Sequence, residues 1–109
     1  MNYPVLDELR HKLLLLTFIY SYRCGRFLLS SGRYSSYYID GKQVTMAPEG
    51  LYATAQYILA SMQQRRIRAD AIGGLTLGAD PIAAGVAALS NIWAQKEGAP
   101  ASLIPLPSF

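Results

Sequence analysis

The chain has 109 residues, of which 51% are hydrophobic and 16% charged, with a formal charge of +3. That is room for one small domain, and it is too apolar and too weakly charged for a disordered chain. One Cys and one His exclude an intrachain disulfide and a Cys/His zinc site; the mild basic excess favours anionic partners without naming nucleic acid.

Leu6, Leu9, Leu13, Leu16 and Tyr20 recur at helical spacing and predict a helix over 5–21. Leu14 and Leu15 widen its apolar face, so it is expected to be covered on more than one side. Cys24-Gly25 reads as its end. Arg26–Ser30 reads as a strand, Ser31-Gly32-Arg33 as a turn and Tyr37-Tyr38-Ile39 as a second strand. Asp40-Gly41 signals a turn towards Gln43–Met46. Pro48 and Glu49 suit the first turn of a helix reaching about Arg65. Ile67–Leu75 reads as a buried strand, followed by a helix over Pro81–Trp93 with Asp80 as its N-cap. A strand starting at Ala101–Ile104 is stopped by Pro105 and Pro107. The order of elements predicts an α/β fold with one core strand after residue 66. That strand has an unpaired edge, so self-association is expected.

The apolar run Leu13–Tyr20 is too short to span a bilayer, and Asp80-Pro81 interrupts the apolar stretch 71–94. With Asp7 and Glu8 where a secretory signal would be basic, a cytoplasmic protein is expected, without membrane or nucleic-acid partners.

Two segments carry candidate chemistry. Gly73–Pro81 (GGLTLGADP) lies between a strand and a helix, where α/β proteins bind ligands and freed N–H groups cradle phosphate. It lacks G-x-G-x-x-G and a Walker lysine, and a tight turn with small packing residues fits the spacing equally well. Arg26–Asp40 gathers four Ser, three Tyr and two Arg in fifteen residues. Those groups suit a flat anionic ligand, and equally suit an exposed amphipathic hairpin. Arg65-Arg66-x-Arg68 reads as a solvated helix end, His11 as a surface residue, and Cys24 as a lone thiol with no catalytic partner.

Together the segments resemble one family. Cys24–Asp40 (CGRFLLSSGRYSSYYID), then Gly41-Lys42-Gln43-Val44 and Pro48-Glu49-Gly50-Leu51, resemble the N-terminal region of orotate phosphoribosyltransferase. Ile72–Ala84 (IGGLTLGADPIAA) resembles that family's next block, closest to its cyanobacterial branch. The resemblance covers about residues 5–95. It implies the N-terminal part of a type I phosphoribosyltransferase fold: a helix, a β-hairpin hood and the start of a parallel sheet flanked by helices. The implied reaction joins orotate to the ribose 5-phosphate of phosphoribosyl pyrophosphate (PRPP). It yields orotidine monophosphate and pyrophosphate in UMP biosynthesis, with magnesium, in a homodimer. The implied substrate-binding residues are Ser30, Ser31, Gly32, Tyr38 and Ile39 in the first block and Gly74, Thr76, Gly78 and Asp80 in the second. The hairpin is expected to fold over the end of the Ala71–Leu75 strand.

The departures are specific. A lysine common in the family falls on Ser30, and an aromatic pair on Tyr38-Ile39, where only the first is aromatic. A Tyr-Lys pair used by some members falls on Leu77-Gly78. The family's basic loop R-K-x-x-K-x-H-G and its acid pair leading to T-x-G do not occur in these 109 residues, so no catalytic or magnesium-ligating residue is assigned. The whole of 1–109 is expected to form a single partial domain with a divergent Pro-rich tail, 98–109, as a truncated or frameshifted gene would give. The alternative function is a non-catalytic, ligand-binding or dimerising remnant of the fold.

Overall fold

Helix α1 spans Leu6–Tyr20, with Asp7 and Glu8 in its first turn, where carboxylates offset the positive end of the helix dipole. Leu9 is buried, while Leu14, Leu15, Phe18 and Ile19 are exposed. The broad apolar face is therefore covered on one side only within the chain. The structure, a computed structural model, describes residues 5–99 and 103–109, and of Thr76 the backbone alone. The strand start expected at Ala101 lies outside the described residues.

The chain turns at Ser21, whose N–H donates to the Thr17 carbonyl at 2.9 Å, and enters strand β1, Tyr22–Leu28. Cys24-Gly25 is thus inside a strand and not at a helix end. Gly25 has φ +155°, and the register slips between Cys24 and Phe27. Glycine permits this conformation at a bulge. Strand β2, Tyr34–Ile39, pairs antiparallel with β1, Tyr22 opposite Ile39 and Leu28 opposite Tyr34. Both strands are longer than expected, because the polar residues between the apolar ones also join the ladder. At the tip Gly32 takes φ +86°, and Leu29 N–H donates to the Arg33 carbonyl at 2.8 Å.

Asp40-Gly41 does not lead to a further strand. It opens a single helical turn, α2, Lys42–Thr45. That turn buries Val44, whose carbonyl and side chain sit on Gly50 so closely that a Cβ there has no room. Helix α3, Pro48–Gln64, follows with Pro48 at its start and Glu49 in the first turn. It buries Gly50, Ala53, Ala55, Leu59 and Ala60 and packs on α1, where Lys12 pairs with Glu49 at 3.1 Å.

The expected strand at Ile67–Leu75 is reduced to one parallel bridge, Ile72 with Ser108. Ile72 N–H donates to the Pro107 carbonyl (2.9 Å), and Phe109 N–H to the Ile72 carbonyl (3.1 Å). The neighbouring segment carries Pro105 and Pro107, which lack the N–H a longer ladder needs. Helix α4 spans Thr76–Ala94, so it starts before Pro81, and Asp80 is inside it, not its cap. Pro81 lacks the N–H that would bond the Leu77 carbonyl, in a first stretch of helix where Leu75 and Leu77 are exposed.

The core lies between α3, α4 and the tail. Leu59, Val86, Leu89 and Trp93 pack with Leu103 and Leu106. Buried Ser90 Oγ donates to the Ala87 carbonyl (2.7 Å) and accepts from Leu106 N–H (2.8 Å). Leu103 and Leu106 of the Pro-rich tail are therefore part of the core. The chain is elongated, 50 × 28 × 23 Å, and the hairpin's helical neighbour is α1.

Candidate functional site

The hairpin presents aromatic rings to solvent. Phe18 stacks on Tyr22 (centroids 5.8 Å apart), Tyr22 on Tyr37 (6.1 Å), and Phe27 lies 5.7 Å from Tyr38. The Arg26 guanidinium sits 4.0 Å over the Tyr34 ring, and Arg23 and Arg33 are exposed on the same arm. From Ser21 to Ile39 there is no acid. The result is a basic aromatic surface suited to flat or anionic ligands.

The expected site residues of this arm divide into two groups. Ser30, Ser31 and Gly32 are exposed at the tip, and Tyr38 and Ile39 are exposed at the base. The extended chain from Gly32 to Tyr38 covers roughly 20 Å, so one orotate-sized ring cannot touch both. The base is tied to the body, because Asp40 N–H donates to the Ser21 carbonyl at 3.0 Å.

In the second segment Gly74 meets the Ala79 methyl where a Cβ would stand. This is the close packing that the small-residue reading anticipates. Thr76, Gly78 and Asp80 form the first turns of α4, which has no side-chain cap. The backbone N–H groups of a helix's first turn lack intrahelical acceptors and attract anions. Beside them is an open groove of about 610 Å³ lined by Lys42, Met46, Leu77, Asp80, Pro81 and Ala84. Lys42 and Met46 were not among the expected site residues. Their signal was the position of Lys42 three residues after Ile39, in a helical turn that the Asp40-Gly41 reading missed. Among the described residues the one ion pair is Lys12–Glu49, so Lys42 has no carboxylate at ion-pair distance.

Between the two segments, α2 continues from the hairpin base and packs against α4. Among the helices the hairpin packs on α1, and the short α2 turn carries the chain from it into α3. Among the described residues no three His, Cys, Asp or Glu side chains converge, and Asp80 shares its groove with a lysine.

Electrostatics distinguish one hydroxyl. Cys24 Sγ and Tyr22 Oη lie at hydrogen-bond distance, 3.4 Å, and the form of this contact that holds the Tyr22 proton has the phenol O–H donating to sulfur. Tyr22 is held above its ordinary pKa of 10.0, first by that hydrogen bond and then by the charge of Cys24, with burial and Tyr37 adding to the effect.

Helix, antiparallel hairpin, helix pair and the glycine-rich entry to α4 define a chain of the type I phosphoribosyltransferase fold. In sequence it is a homologue of the orotate phosphoribosyltransferases, cyanobacterial ones among them. It is 44% identical over 94 residues to the orotate phosphoribosyltransferase of Thermosynechococcus vestitus, covering 86% of this chain and 48% of that one. For the enzyme of Nostoc sp. the identity is 48% over 84 residues, 77% of this chain and 39% of the relative. The solved orotate phosphoribosyltransferase of Mycobacterium tuberculosis in complex with inorganic phosphate superposes with a TM-score of 0.69 at 28% identity. That match covers 94% of this chain and 52% of the other. The chain thus spans about half the length, or less, of these relatives. No protein-family profile matches it. Among the described residues no helix is long and apolar enough to cross a membrane.

Proposed function

We propose that these 109 residues supply the orotate-facing part of an orotate phosphoribosyltransferase, with orotate and PRPP as the ligands. The observation that carries this reading is the 44% identity running through both candidate blocks. The geometry supports it with an exposed Tyr38 at the hairpin base, and with Lys42 and the start of α4 lining a neighbouring groove. Tyr38 covers the flat ring, Lys42 attracts its carboxylate or a phosphate, and the first amides of α4 hold an anion.

The metal-holding residues are not in this set, so no step is assigned to magnesium. A homodimer belongs to the same proposal, and the uncovered apolar face of α1 is the surface it would use. A cytoplasmic setting goes with it. Without the basic loop and the acid pair, the 109-residue polypeptide is expected to bind without turnover.

Titrating orotate into the polypeptide and following amide shifts tests the reading. Shifts in 30–40 and 73–80, lost in Tyr38→Ala, are the expected result. With two or more charge-assisted hydrogen bonds of the family missing, binding is expected no tighter than about millimolar. No shifts, or shifts elsewhere, reject the reading.

A further inference from the structure

The pairing of β1 with β2 sorts the hairpin's residues onto two faces. Residues directly opposite in an antiparallel ladder share a face. Tyr22 with Ile39 and Cys24 with Tyr37 belong to one face, and Arg23 with Tyr38 belongs to the other. The Cβ atoms of such an opposite pair are about 4.5–5.5 Å apart. A small molecule lying on the Tyr38 ring is therefore within reach of the Arg23 side chain, and both residues are exposed.

Arg23 is the uncommitted cation of that face. Among the described residues the one ion pair is Lys12–Glu49, and no hydrogen bond or ring contact holds the Arg23 guanidinium. The nearest acid along β2, Asp40, accepts from Gln43 Nε2 at 3.2 Å instead. Arg26 is occupied on the Tyr34 ring at 4.0 Å. Arg33 stands at the tip, roughly 17 Å of extended chain from Tyr38. An unpaired guanidinium beside an exposed ring suits a planar acid. The ring takes the flat part, and the guanidinium fork takes the carboxylate through two parallel N–H···O bonds.

We propose that Arg23 is a substrate-binding residue that pairs with the carboxylate of orotate while Tyr38 covers its ring. The pair then selects the acid over the same ring without a carboxylate. This rests on the reading of Tyr38 as the ring-covering residue and sharpens it: the carboxylate goes to Arg23, and Lys42 is left for a phosphate. Arg23 lies one residue before the first candidate block, so neither block contains it.

The test is a pair of NMR titrations of the 109-residue chain, with orotate and with uracil, the same ring lacking the carboxylate. Arg23→Gln keeps a polar side chain on an exposed strand and removes the charge. It is expected to weaken orotate binding about fivefold, the upper range for an exposed ion pair, and to leave uracil binding unchanged. Arg23→Lys keeps the charge without the fork and is expected to fall between the two. If Arg23→Gln binds orotate within about twofold of the wild type while Tyr38→Ala fails to bind, the inference falls and the proposed function stands. An equal loss for orotate and uracil also overturns the inference, since the side chain then supports the hairpin and not the carboxylate. If the wild type shows no orotate binding, or neither variant loses it, both fall.

Discussion

Two regions of this molecule use apolar residues in opposite ways. In the helical body Trp93, Leu59 and Val86 are at most 2% exposed, closed in by α3, α4 and the tail. In the hairpin no residue of either strand is buried, although Phe27, Tyr34, Tyr37, Tyr38 and Ile39 are as apolar or aromatic as the core. The body's side chains stabilise the fold by leaving water. The hairpin's rings hold each other in stacked and tilted pairs and leave their remaining surface to solvent. Residues of similar hydropathy thus build a core in one region and an exposed aromatic surface in the other.

The comparison breaks if the two regions respond alike to truncation. Trp93→Ala is expected to cost about 3–5 kcal/mol and Leu106→Ala about 2–5 kcal/mol, through lost burial and the cavity left behind. Tyr37→Ala is expected to cost about 1 kcal/mol or less, the size of an aromatic pair with little burial. Urea unfolding followed by far-ultraviolet circular dichroism measures all three, since Trp93 is the only tryptophan and cannot report on its own removal. A Leu106→Ala variant as stable as the wild type would separate the tail from the core.

A single polar contact sharpens the same boundary. Ser90→Ala removes the buried acceptor of Leu106 N–H, so an unpaired buried donor is expected to cost about 1–3 kcal/mol. Amide exchange at Leu106 should quicken with it. Ser21 is the counterpart at the root of the hairpin. Its hydroxyl is buried and has no hydrogen-bond partner, so Ser21→Ala is expected to raise stability, by about 1 kcal/mol. A loss of stability would mean that this hydroxyl has a partner after all.

Much of the body was legible in sequence because helical periodicity is a repeated signal. The spacing of Leu6, Leu9, Leu13 and Leu16 placed α1, and Pro48-Glu49 marked the start of α3. Less was legible where a single residue has two uses. Pro81 reads as a helix start, yet α4 tolerates it internally because the preceding turn is open. Gly25 reads as a helix stop, yet it serves a bulge. Ile67–Leu75 has strand composition, but a strand needs a neighbour with donors, and the tail's prolines supply few. The candidate residues were legible as two blocks. The α2 turn between them was not, because it is set by the fit of Val44 on Gly50, a contact between elements.

The smallest expected effect lies on the hairpin and depends on pH. Tyr22 loses its proton less readily in the fold than its ordinary value of 10.0, chiefly because of Cys24. A pKa raised by folding means that the protonated hydroxyl is the form the fold favours. Its contribution is therefore fully present below pH 10.0 and is lost as the pH rises through the higher folded value. Because the hydroxyl is on an exposed arm, this loss is expected to leave the body's unfolding transition unmoved while the hairpin's amides exchange faster above pH 10.0. Cys24→Ala removes both the hydrogen bond and the charge, so the Tyr22 titration, followed by ultraviolet difference absorbance, should move down towards 10.0. If Tyr22 titrates unchanged in that variant, the Cys24–Tyr22 contact is not what holds its proton. If the body unfolds in the same alkaline step, the hairpin and the core are more tightly coupled than their packing indicates.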